Sequence, residues 1–411
     1  MGLVTADRFQ CRLCGSADHH LVLDLGLLPL ANDFVTSPAD TKDLSREPVA
    51  LVMCSACRLL QLRELVPPTR MFSNYVWTSA SSQAAQAHAE KFAAATASRY
   101  PTSTHPFLVE VASNDGLLLR KLGGCGYRIL GVDPSDLADE ASSSGVPTLR
   151  AFFAEEVARQ IVREHGQADV IVARNVVGHV ADLRGFLGGV RKLLRPGGAF
   201  IVESPYAHGL RNELQYDYVF HEHVCYFTIQ TLTAALRRFG LAPQHLGFVP
   251  MNGGSFLCHA RREDDPAPDA SLQPLCELER VFELNEPRGW SWFAAAVSHQ
   301  RERLRSLLEE RRRAGAKVAA YGAAAKTMTM FNFCGLTPDL VGVIADGSPR
   351  KQGLLCPGVR IPVVSPERLL ELRPDYVLIG AWNFTDEIIG QLRSRGYEGR
   401  FIVPLPVPRV L

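Results

Sequence analysis

Four of the ten cysteines in this chain form two pairs with the spacing of metal ligands. The pairs are Cys11-x-x-Cys14 and Cys54-x-x-Cys57. Four thiolates complete a tetrahedral zinc shell, and neither pair has the helix start beside a βαβ unit that is typical of a redox Cys-x-x-Cys. Because protein ligands fill the shell, we expect a structural zinc ion with no open position for catalysis.

A second chemical signal is an apolar run that ends in a turn of small and polar residues. Residues 107–111 lead into the turn 112–116, and Asp133 ends the next apolar run. Such a turn lets backbone N–H groups approach a ligand, and an acid at the next strand end binds ribose hydroxyls. Asp115 and Asp133 also fit plain structural roles, as a turn residue and a helix N-cap before Pro134.

The glycine content of this turn limits which class of nucleoside ligand it can bind. It contains one glycine in place of Gly-x-Gly-x-x-Gly, and an acid lies inside the strand. A pyrophosphate is poorly served by that arrangement, whereas a cationic adenosine compound suits it, and S-adenosylmethionine fits best. The predicted cofactor-binding residues of this segment are Glu110, Ala112, Ser113, Asn114, Asp115, Gly116 and Asp133.

The third signal is the segment His221-Glu222-His223. The i, i+4 spacing of a zinc hydrolase is absent, so general acid–base chemistry is the better use of these side chains. Histidine titrates near neutral pH, and a neighbouring carboxylate can orient it. An alternating strand would place Glu222 on the face opposite His223, whereas a loop would remove that difficulty.

Size and composition exclude several classes of protein. The 411 residues, 46% of them hydrophobic, can bury two or three cores, and no apolar run approaches the roughly 18 residues of a membrane span. Lys and Arg number 44 against 43 Asp and Glu, so no overall field attracts nucleic acid or an anionic membrane. Asp7 and Arg8 precede any apolar stretch, which argues against a signal peptide, and we expect a cytoplasmic protein with reduced thiols.

The sequence pattern predicts that two parallel sheets, each with its own helices, position these residues. Strands alternate with helices in both, as in a doubly wound sheet. A helix is predicted from Gln83 to Tyr100 and a longer one from about Trp290 to Ala314, after an acidic, proline-containing linker that begins at Glu263. The predicted strands are 107–111, 127–132, 147–152, 168–172 and 199–203 in the first unit, and 317–321, 340–345, 376–379 and 401–403 in the second.

Several ordered motifs join these signals. Besides the cysteine quartet and the sequence 111–116, they are Asn175-Val-Val-Gly-His179, Glu203-Ser-Pro-Tyr206, Glu222-His223, Gly253-Gly-Ser255, Tyr321-Gly-Ala-Ala-Ala-Lys326, Asp346, Lys351-Gln-Gly353, Pro357-Gly358, Arg373-Pro-Asp-Tyr376 and Ala381-Trp-Asn383. In these motifs nearly the whole chain resembles the S-adenosylmethionine-dependent sugar C-methyltransferases of deoxysugar biosynthesis, which act on nucleotide-linked 4-keto sugars.

The resemblance implies an α/β protein with three parts. These are an N-terminal zinc-binding module at 1–70, a central Rossmann-like class I methyltransferase domain at 71–262 and a C-terminal Rossmann-like nucleotide-sugar-binding domain at 263–411. It also implies removal of the sugar C3 proton and methyl transfer to the enolate carbon, with no catalytic metal. We expect a monomer acting on a nucleotide sugar, with dTDP as the carrier.

Residue roles follow from the resemblance together with the chemistry. His223 is the predicted base and Glu222 its partner, while His179 and Tyr75 are candidates for the enolate side. Asn175 joins the cofactor site. Lys326 follows a glycine turn at a helix start, where a lysine can neutralise the diphosphate. The predicted substrate-binding residues are Phe220, Tyr206, Gly322, Lys326, Asp346, Lys351, Trp382 and Asn383.

Two positions depart from the family pattern and keep other readings open. The family places Tyr before His-Glu-His, where this chain has Phe220, and Trp77 replaces the second aromatic of a Tyr-x-Tyr segment. Loss of hydroxyls from a keto-sugar site suggests a different ring substituent or proton route. The alternatives are the same fold with another acceptor, a cyclisation or elimination without methylation, and a non-catalytic zinc scaffold that binds nucleotide.

Overall fold

The structure is a computed structural model that describes residues 9–40, 45–73, 78–81, 83–101, 104–264 and 272–411. Tyr75 and Trp77 lie outside the described residues. The strands are β1 His19–Pro29, β2 Arg46–Cys54, β3 Leu60–Leu62, β4 Phe107–Val111, β5 Arg128–Asp133, β6 Thr148–Arg150, β7 Ala168–Arg174, β8 Leu194–Pro205, β9 Cys225–Tyr226, β10 Leu241–Val249, β11 Ser255–Arg262, β12 Val318–Tyr321, β13 Ile344–Ala345, β14 Val363–Val364, β15 Tyr376–Ile379, β16 Arg400–Val403 and β17 Arg409–Val410.

Thirteen α-helices accompany these strands in the described part of the chain. They are α1 Pro68–Phe72, α2 Gln83–Arg99, α3 Leu117–Gly124, α4 Leu137–Ser143, α5 Glu155–His165, α6 Leu183–Leu193, α7 Ala207–Asn212, α8 Ile229–Arg238, α9 Gln273–Val281, α10 Phe293–Arg313, α11 Ala325–Cys334, α12 Pro366–Leu372 and α13 Thr385–Ser394. None of the described helices is both long and apolar enough to cross a membrane.

The first sheet is antiparallel, in the order β1-β2-β3-β9. Its last strand comes from far along the chain: Leu60 pairs with Tyr226 and Gln61 with Cys225. The backbone N–H of Leu62 also donates to the carbonyl of Val224, at 3.0 Å. The N-terminal part therefore holds the segment that directly follows His221-Glu222-His223.

The second sheet has seven strands in the order β10-β11-β8-β7-β4-β5-β6. The five strands from β8 to β6 are parallel, and β11 runs antiparallel to both of its neighbours. All five residues of β4 are buried, as expected for a central parallel strand covered by helices on both faces. This arrangement brings the carboxyl ends of β4, β5, β7 and β8 to one edge, where open α/β sheets bind ligands.

The turn after β4 has an unusual backbone. Ala112 and Asn114 have φ values of 58° and 53°, and Gly116 has 72°. Positive φ is uncommon outside glycine and costs energy, so it persists where the surroundings hold it and tends to cluster at functional sites. A Cβ on Gly116 would lie 3.0 Å from Val146 Cγ1, so this position also needs glycine for space.

The third sheet follows α10 and has the order β14-β13-β12-β15-β16-β17, parallel except for β17. The buried face of α10 carries Val297, Leu304 and Leu308. These residues belong to one apolar cluster that extends through all three sheets. In that cluster the Tyr216 hydroxyl donates to Gln300 Oε1 at 2.7 Å, which ties the central part to α10.

A buried carboxylate fixes the position of α8. Glu279 on α9 is 1% exposed, and its oxygens accept from the backbone N–H groups of Ile229 and Gln230 at 2.6 and 2.9 Å. These N–H groups belong to the first turn of α8, which has no intrahelical acceptor for them, and a negative charge is favoured at a helix N-terminus. Tyr206, a predicted substrate residue, donates its hydroxyl to the same carboxylate at 2.8 Å.

The α/β fold class predicted from the sequence is confirmed. The predicted strand 107–111 coincides with β4, and α2 and α10 lie within the predicted helices. The predicted strand 340–345 is shorter, since only Ile344–Ala345 forms β13. Strands β1, β2, β10 and β11 were not predicted. The His-Glu-His segment is a turn, so the face argument against a contact between Glu222 and His223 does not apply.

Candidate active site

A cavity of about 660 Å³ opens at the carboxyl edge of the central sheet. All three parts of the molecule line it: Pro68 and Thr69 from the N-terminal side, the strand ends of the central sheet, and Lys326 and Asn383 from the C-terminal side. The predicted site residues that line it are Glu110, Ala112, Ser113, Asn114, Asp133, Asn175, His179, Phe220, Glu222, His223, Lys326 and Asn383.

One end of the cavity carries a buried acid. Glu110 is 3% exposed, and its Oε1 lies 3.6 Å from the guanidinium of Arg174. Burial raises the pKa of Glu110 to about 7, against the opposing effect of Arg174. Glu110 Oε2 and the hydroxyl of Ser113 are buried with no hydrogen-bond partner in the described structure. Unpaired buried acceptors are costly, so they fit a bound ligand with cationic and N–H or O–H groups.

The neighbouring polar residues hold the turn itself. Asp133 Oδ2 accepts from the backbone N–H of Asn114 at 2.8 Å, and Oδ1 accepts from the N–H and hydroxyl of Ser135 at 2.9 and 2.5 Å. Asp115 accepts from the N–H groups of Ala80 and Leu117, at 2.7 and 3.1 Å. Asp115 and Gly116 are not among the residues that line the cavity. Their position supports the structural reading given above for Asp115.

Asn175 lies at the end of β7 with φ of 53°, the third non-glycine residue of the cavity wall in this backbone region. Its Nδ2 donates to Glu203 Oε1 at 3.3 Å, and Glu203 Oε2 lies 2.7 Å from His88 Nε2. The side chain of Glu203 is fully buried. This network connects α2 with the ends of β7 and β8 and so supports the cavity wall.

His223 is oriented by the backbone. Its Nδ1 lies 3.0 Å from the carbonyl oxygen of Tyr218. A carbonyl can only accept, so Nδ1 carries the proton and the neutral ring keeps a lone pair on Nε2. Burial lowers the pKa of His223 well below its usual value, and the charge of Lys326 lowers it further. The ring is therefore neutral at physiological pH and can accept a proton.

Two aromatic rings and a second imidazole surround His223. The Phe220 ring centroid is 4.2 Å from it, the Tyr218 centroid 4.4 Å, and the His179 ring lies edge-on at 4.5 Å. Burial lowers the pKa of His179 to about 4, and its Nδ1 has no hydrogen-bond partner in the described structure. Two neutral imidazoles thus meet in the cavity.

The turn that carries His223 is fixed to the N-terminal part. Asn32 Nδ2 donates to Glu222 Oε1 at 2.6 Å, and His221 Nε2 lies 3.1 Å from the carbonyl oxygen of Glu47 on β2. Because a carbonyl oxygen accepts, this nitrogen of His221 donates, which gives His221 a structural role. Glu222 therefore connects the turn to Asn32.

Lys326, in the first turn of α11, carries the cation of the cavity on the C-terminal side. Its Nζ donates to Asn383 Oδ1 at 2.7 Å and lies 4.8 Å from the Trp382 ring centroid and 5.1 Å from that of Tyr218. Burial lowers the pKa of Lys326 to about 8, while the charge of Asp217 opposes that shift. Burial raises the pKa of Asp217 to about 6, and its Oδ2 accepts from Trp382 Nε1 at 2.6 Å.

The other predicted substrate residues are not among those that line the cavity. Asp346 accepts from the N–H of Ala323 at 2.8 Å, and Lys351 is 6% exposed and donates to the carbonyl of Ala323 at 2.8 Å. These residues gather at the carboxyl ends of β12 and β13, beside the glycine turn at Gly322 (φ 93°).

The four paired cysteines come together as the sequence predicts. Cys11 Sγ lies 3.4 Å from Cys57 Sγ and Cys14 Sγ 3.5 Å from Cys54 Sγ, and all four sulfurs lie within 4.8 Å of one another. Zn–S bonds of about 2.3 Å at tetrahedral angles place sulfurs about 3.8 Å apart, so the quartet fits a structural zinc ion.

Some side chains of the candidate site were not identified from the sequence. Asp217 and Tyr218 lie shortly before the His-Glu-His segment, and an acid among the apolar and aromatic residues 216–220 is a usable signal in the sequence. In the structure Asp217 is fully buried. Arg174 adjoins Asn175 at a strand end. Asn32 gives no such signal, because its contact with Glu222 joins distant parts of the chain.

Comparisons with known proteins agree with this architecture. Residues 11–72 match the family model "Putative zinc binding domain", residues 85–246 match "Methyltransferase domain", and residues 250–406 match "C-methyltransferase C-terminal domain". The C-methyltransferase NovU of Streptomyces niveus is 34% identical over 406 residues, which are 98% of this chain and 96% of that protein.

Other relatives match a smaller share of the chain. The ubiquinone biosynthesis O-methyltransferase of Rhizobium etli (strain CIAT 652) is 35% identical over 104 residues, or 24% of this chain and 40% of that protein. The crystal structure of magnesium protoporphyrin IX methyltransferase (ChlM) from Synechocystis PCC 6803 with bound SAM is 12% identical, with a TM-score of 0.33 over 43% of this chain and 79% of that one. From the match to NovU over almost its entire length, the chain belongs to the S-adenosylmethionine-dependent C-methyltransferase family, with a structural zinc site at its N-terminal end.

Proposed function

We propose that the enzyme methylates the C3 carbon of a nucleotide-linked 4-keto-deoxysugar. The observation that carries the proposal is the hydrogen bond from His223 Nδ1 to the Tyr218 carbonyl, because it leaves an unprotonated Nε2 in the cavity. A carbon next to a ketone loses its proton to such a base when the enolate oxygen is stabilised. A carboxylate or amine acceptor would need no such base.

In this proposal the three parts divide the work. The module at 1–70 holds the turn that carries His223, the domain at 71–262 binds the methyl donor, and the domain at 263–411 binds the nucleotide. The sugar is carried by dTDP, and the enzyme is a monomer. The bound donor supplies an activated methyl group on a sulfonium sulfur. Glu110 and Ser113 offer it acceptors, and His223 takes the proton from the acceptor carbon. His179 and Glu222 position the imidazole and its turn.

The nucleotide end is assigned to the carboxyl edge of the third sheet. Ligands of open α/β sheets bind outside the carboxyl ends of the strands, and the cluster of Gly322, Asp346 and Lys351 lies at that edge. Asn383, in the short turn after β15, reaches from this edge to the cavity. A nucleotide sugar lying across the two regions would place its sugar beside His223.

The reaction is tested by incubating the enzyme with S-adenosylmethionine and a panel of keto-sugar nucleotides. We expect a product about 14 Da heavier than one of the panel, the mass of a methylene unit. A consumed substrate whose product has an unchanged mass would support the cyclisation alternative, and a lighter product would support the elimination alternative; Phe220 keeps both open. Binding of donor and nucleotide with no substrate consumed would support the scaffold reading. Either of these results would contradict the proposal.

The position of Glu110 predicts how donor binding depends on pH. The pKa of this acid is about 7 in the free protein, so it is largely protonated at pH 6, whereas the cationic donor favours the carboxylate. We expect the Kd for S-adenosylmethionine, measured by calorimetry, to rise about tenfold from pH 8 to pH 6. Glu110→Gln should bind more weakly with no such dependence. The matched control Glu90→Gln changes an exposed residue of α2 and should behave as wild type. A flat profile in the wild type would contradict the assignment.

A further inference from the structure

The surroundings of the Lys326 ammonium suit binding to the sugar ring of the nucleotide sugar better than binding to its diphosphate. It is partly buried, it lines the same cavity as His223, and one N–H is used by Asn383 at 2.7 Å. An ammonium has three donors, so two remain for a ligand. The rings of Trp382 and Tyr218 lie 4.8 and 5.1 Å from the nitrogen and favour the cationic form by cation–π attraction.

The charges around Lys326 support a role as a charged hydrogen-bond donor near neutral pH. Asp217 shares Trp382 with Lys326, because its Oδ2 accepts from Trp382 Nε1 at 2.6 Å while Lys326 Nζ lies 4.8 Å from the Trp382 ring centroid, and its charge raises the pKa of Lys326. Its second oxygen, Oδ1, is buried and has no hydrogen-bond partner in the described structure. The carboxylate therefore stabilises the ammonium through its field. With a pKa of about 8, lowered by burial, Lys326 is charged at pH 7 and is a better donor than a solvated lysine.

The base and the cation share one neighbour. The His223 ring centroid lies 4.4 Å from that of Tyr218, and Lys326 Nζ lies 5.1 Å from the same ring. The charge of Lys326 also lowers the pKa of His223, which reflects their proximity. Both groups also line the same cavity, and the inference requires a substrate bound there to contact both.

Because Phe220 packs against His223, the hydrogen bond to an enolate oxygen must come from another side chain. Phe220, at 4.2 Å, has no hydroxyl to donate to an enolate oxygen. Of the predicted enolate-side candidates, His179 is neutral, with a pKa of about 4 that burial lowers, and so offers no positive charge to an enolate oxygen. Among the described residues that line the cavity, Arg174 and Lys326 are the lysine and arginine side chains, and Arg174 lies 3.6 Å from Glu110, which leaves Lys326 as the cation not paired with an acid there.

We propose that Lys326 is a catalytic residue that donates a hydrogen bond from Nζ to the ketone oxygen of the acceptor. The inference rests on the proposed function. His223 Nε2 takes the proton from the carbon next to the ketone, the C–H electron pair forms the carbon–carbon double bond, and the carbonyl π electrons move to the oxygen held by Lys326. The enolate carbon then forms a bond to the methyl group as the S–CH3 bond breaks, which restores the ketone and releases S-adenosylhomocysteine.

The test separates this role from diphosphate binding. Exchange of the C3 proton into deuterated water is followed by mass spectrometry at saturating keto-sugar nucleotide, with S-adenosylhomocysteine present so that no methyl is transferred. In Lys326→Met we expect the saturated exchange rate to fall about 10²- to 10³-fold, as for loss of an oxyanion donor, while the Kd for dTDP changes less than threefold. The matched control Lys91→Met, on the exposed side of α2, should exchange as wild type.

The pH profile gives an independent readout that needs no variant. Because the pKa of Lys326 is about 8, wild-type exchange should decline as pH rises through 8 and the ammonium is lost. Lys326→Arg keeps the charge at all pH values, so its residual exchange should show no such decline.

Each outcome decides between the two roles. A saturated exchange rate unchanged in Lys326→Met, with the dTDP Kd raised tenfold or more, would overturn the inference in favour of diphosphate binding. A flat wild-type profile between pH 7 and pH 9.5 would also overturn it. Wild-type enzyme that exchanges no member of the panel would overturn the proposed function itself, and the inference with it.

Discussion

Replacing His223 with Asn is expected to lower turnover by about 10³-fold, within the range for loss of a general base. The reason is the fixed tautomer, since the hydrogen bond to the Tyr218 carbonyl leaves Nε2 unprotonated. Asparagine can keep a donor towards that carbonyl but offers no basic nitrogen. Turnover is measured from the rate of methylated product at saturating substrates.

Donor binding separates lost chemistry from lost structure. The Kd of His223→Asn for S-adenosylmethionine should stay within about threefold of wild type, because the ring contacts of His223 are with Tyr218, Phe220 and His179, outside the turn that is assigned to the donor. The matched control is His299→Asn, which changes an exposed histidine on α10 and should retain full turnover. Turnover of His223→Asn within tenfold of wild type would remove the assignment of this imidazole as the base.

Removal of one zinc ligand is expected to abolish turnover as well, although the metal site is separate from the cavity lining. The connection runs through β3: Gln61 Nε2 lies 3.1 Å from Cys11 Sγ, and Gln61 also pairs with Cys225, two residues after His223. Structural zinc contributes on the order of 10 kcal/mol of apparent binding free energy to small domains at neutral pH, so its loss should release β3 and the turn attached to it.

The variant is Cys54→Ala, which removes a fully buried ligand. We expect the zinc content by elemental analysis to fall from one equivalent per chain to nearly zero, turnover to fall more than 100-fold, and the unfolding temperature to drop. The matched control Cys125→Ala changes a partly buried cysteine after α3, outside the quartet, and should keep both zinc and activity. Full activity in a zinc-free Cys54→Ala enzyme would show that the module does not position His223.

The parts of the fold that follow from local pattern were predictable from the sequence. The apolar run of β4 and the glycine turn at Gly322 mark strand ends without any knowledge of their partners. Strand β10 was missed because it lies at a sheet edge and is only partly buried, so its hydrophobic pattern is weak. Strand β1 carries two register shifts against β2, which break the two-residue period on which strand recognition depends.

The candidate site divides in the same way. The spacing of the cysteines and the segment around His223 identify chemistry from residue type alone. What the sequence does not contain is which atoms face one another after folding. A lysine is usually exposed to solvent, yet Lys351 is buried and donates to the carbonyl of Ala323. Asn32 meets Glu222 because tertiary contacts such as the pairing of β3 with β9 bring distant parts of the chain together.

That pairing has a consequence for recombination between relatives. The match to the methyltransferase domain covers 85–246 as one continuous piece of chain, but its strand β9 belongs to the sheet built by the first part. A chimera that exchanges 85–246 alone would bring a foreign turn to a native β3, and the ladder between them would join unmatched sequences. To transfer acceptor specificity between such enzymes, residues 11–72 should therefore be exchanged together with the central segment.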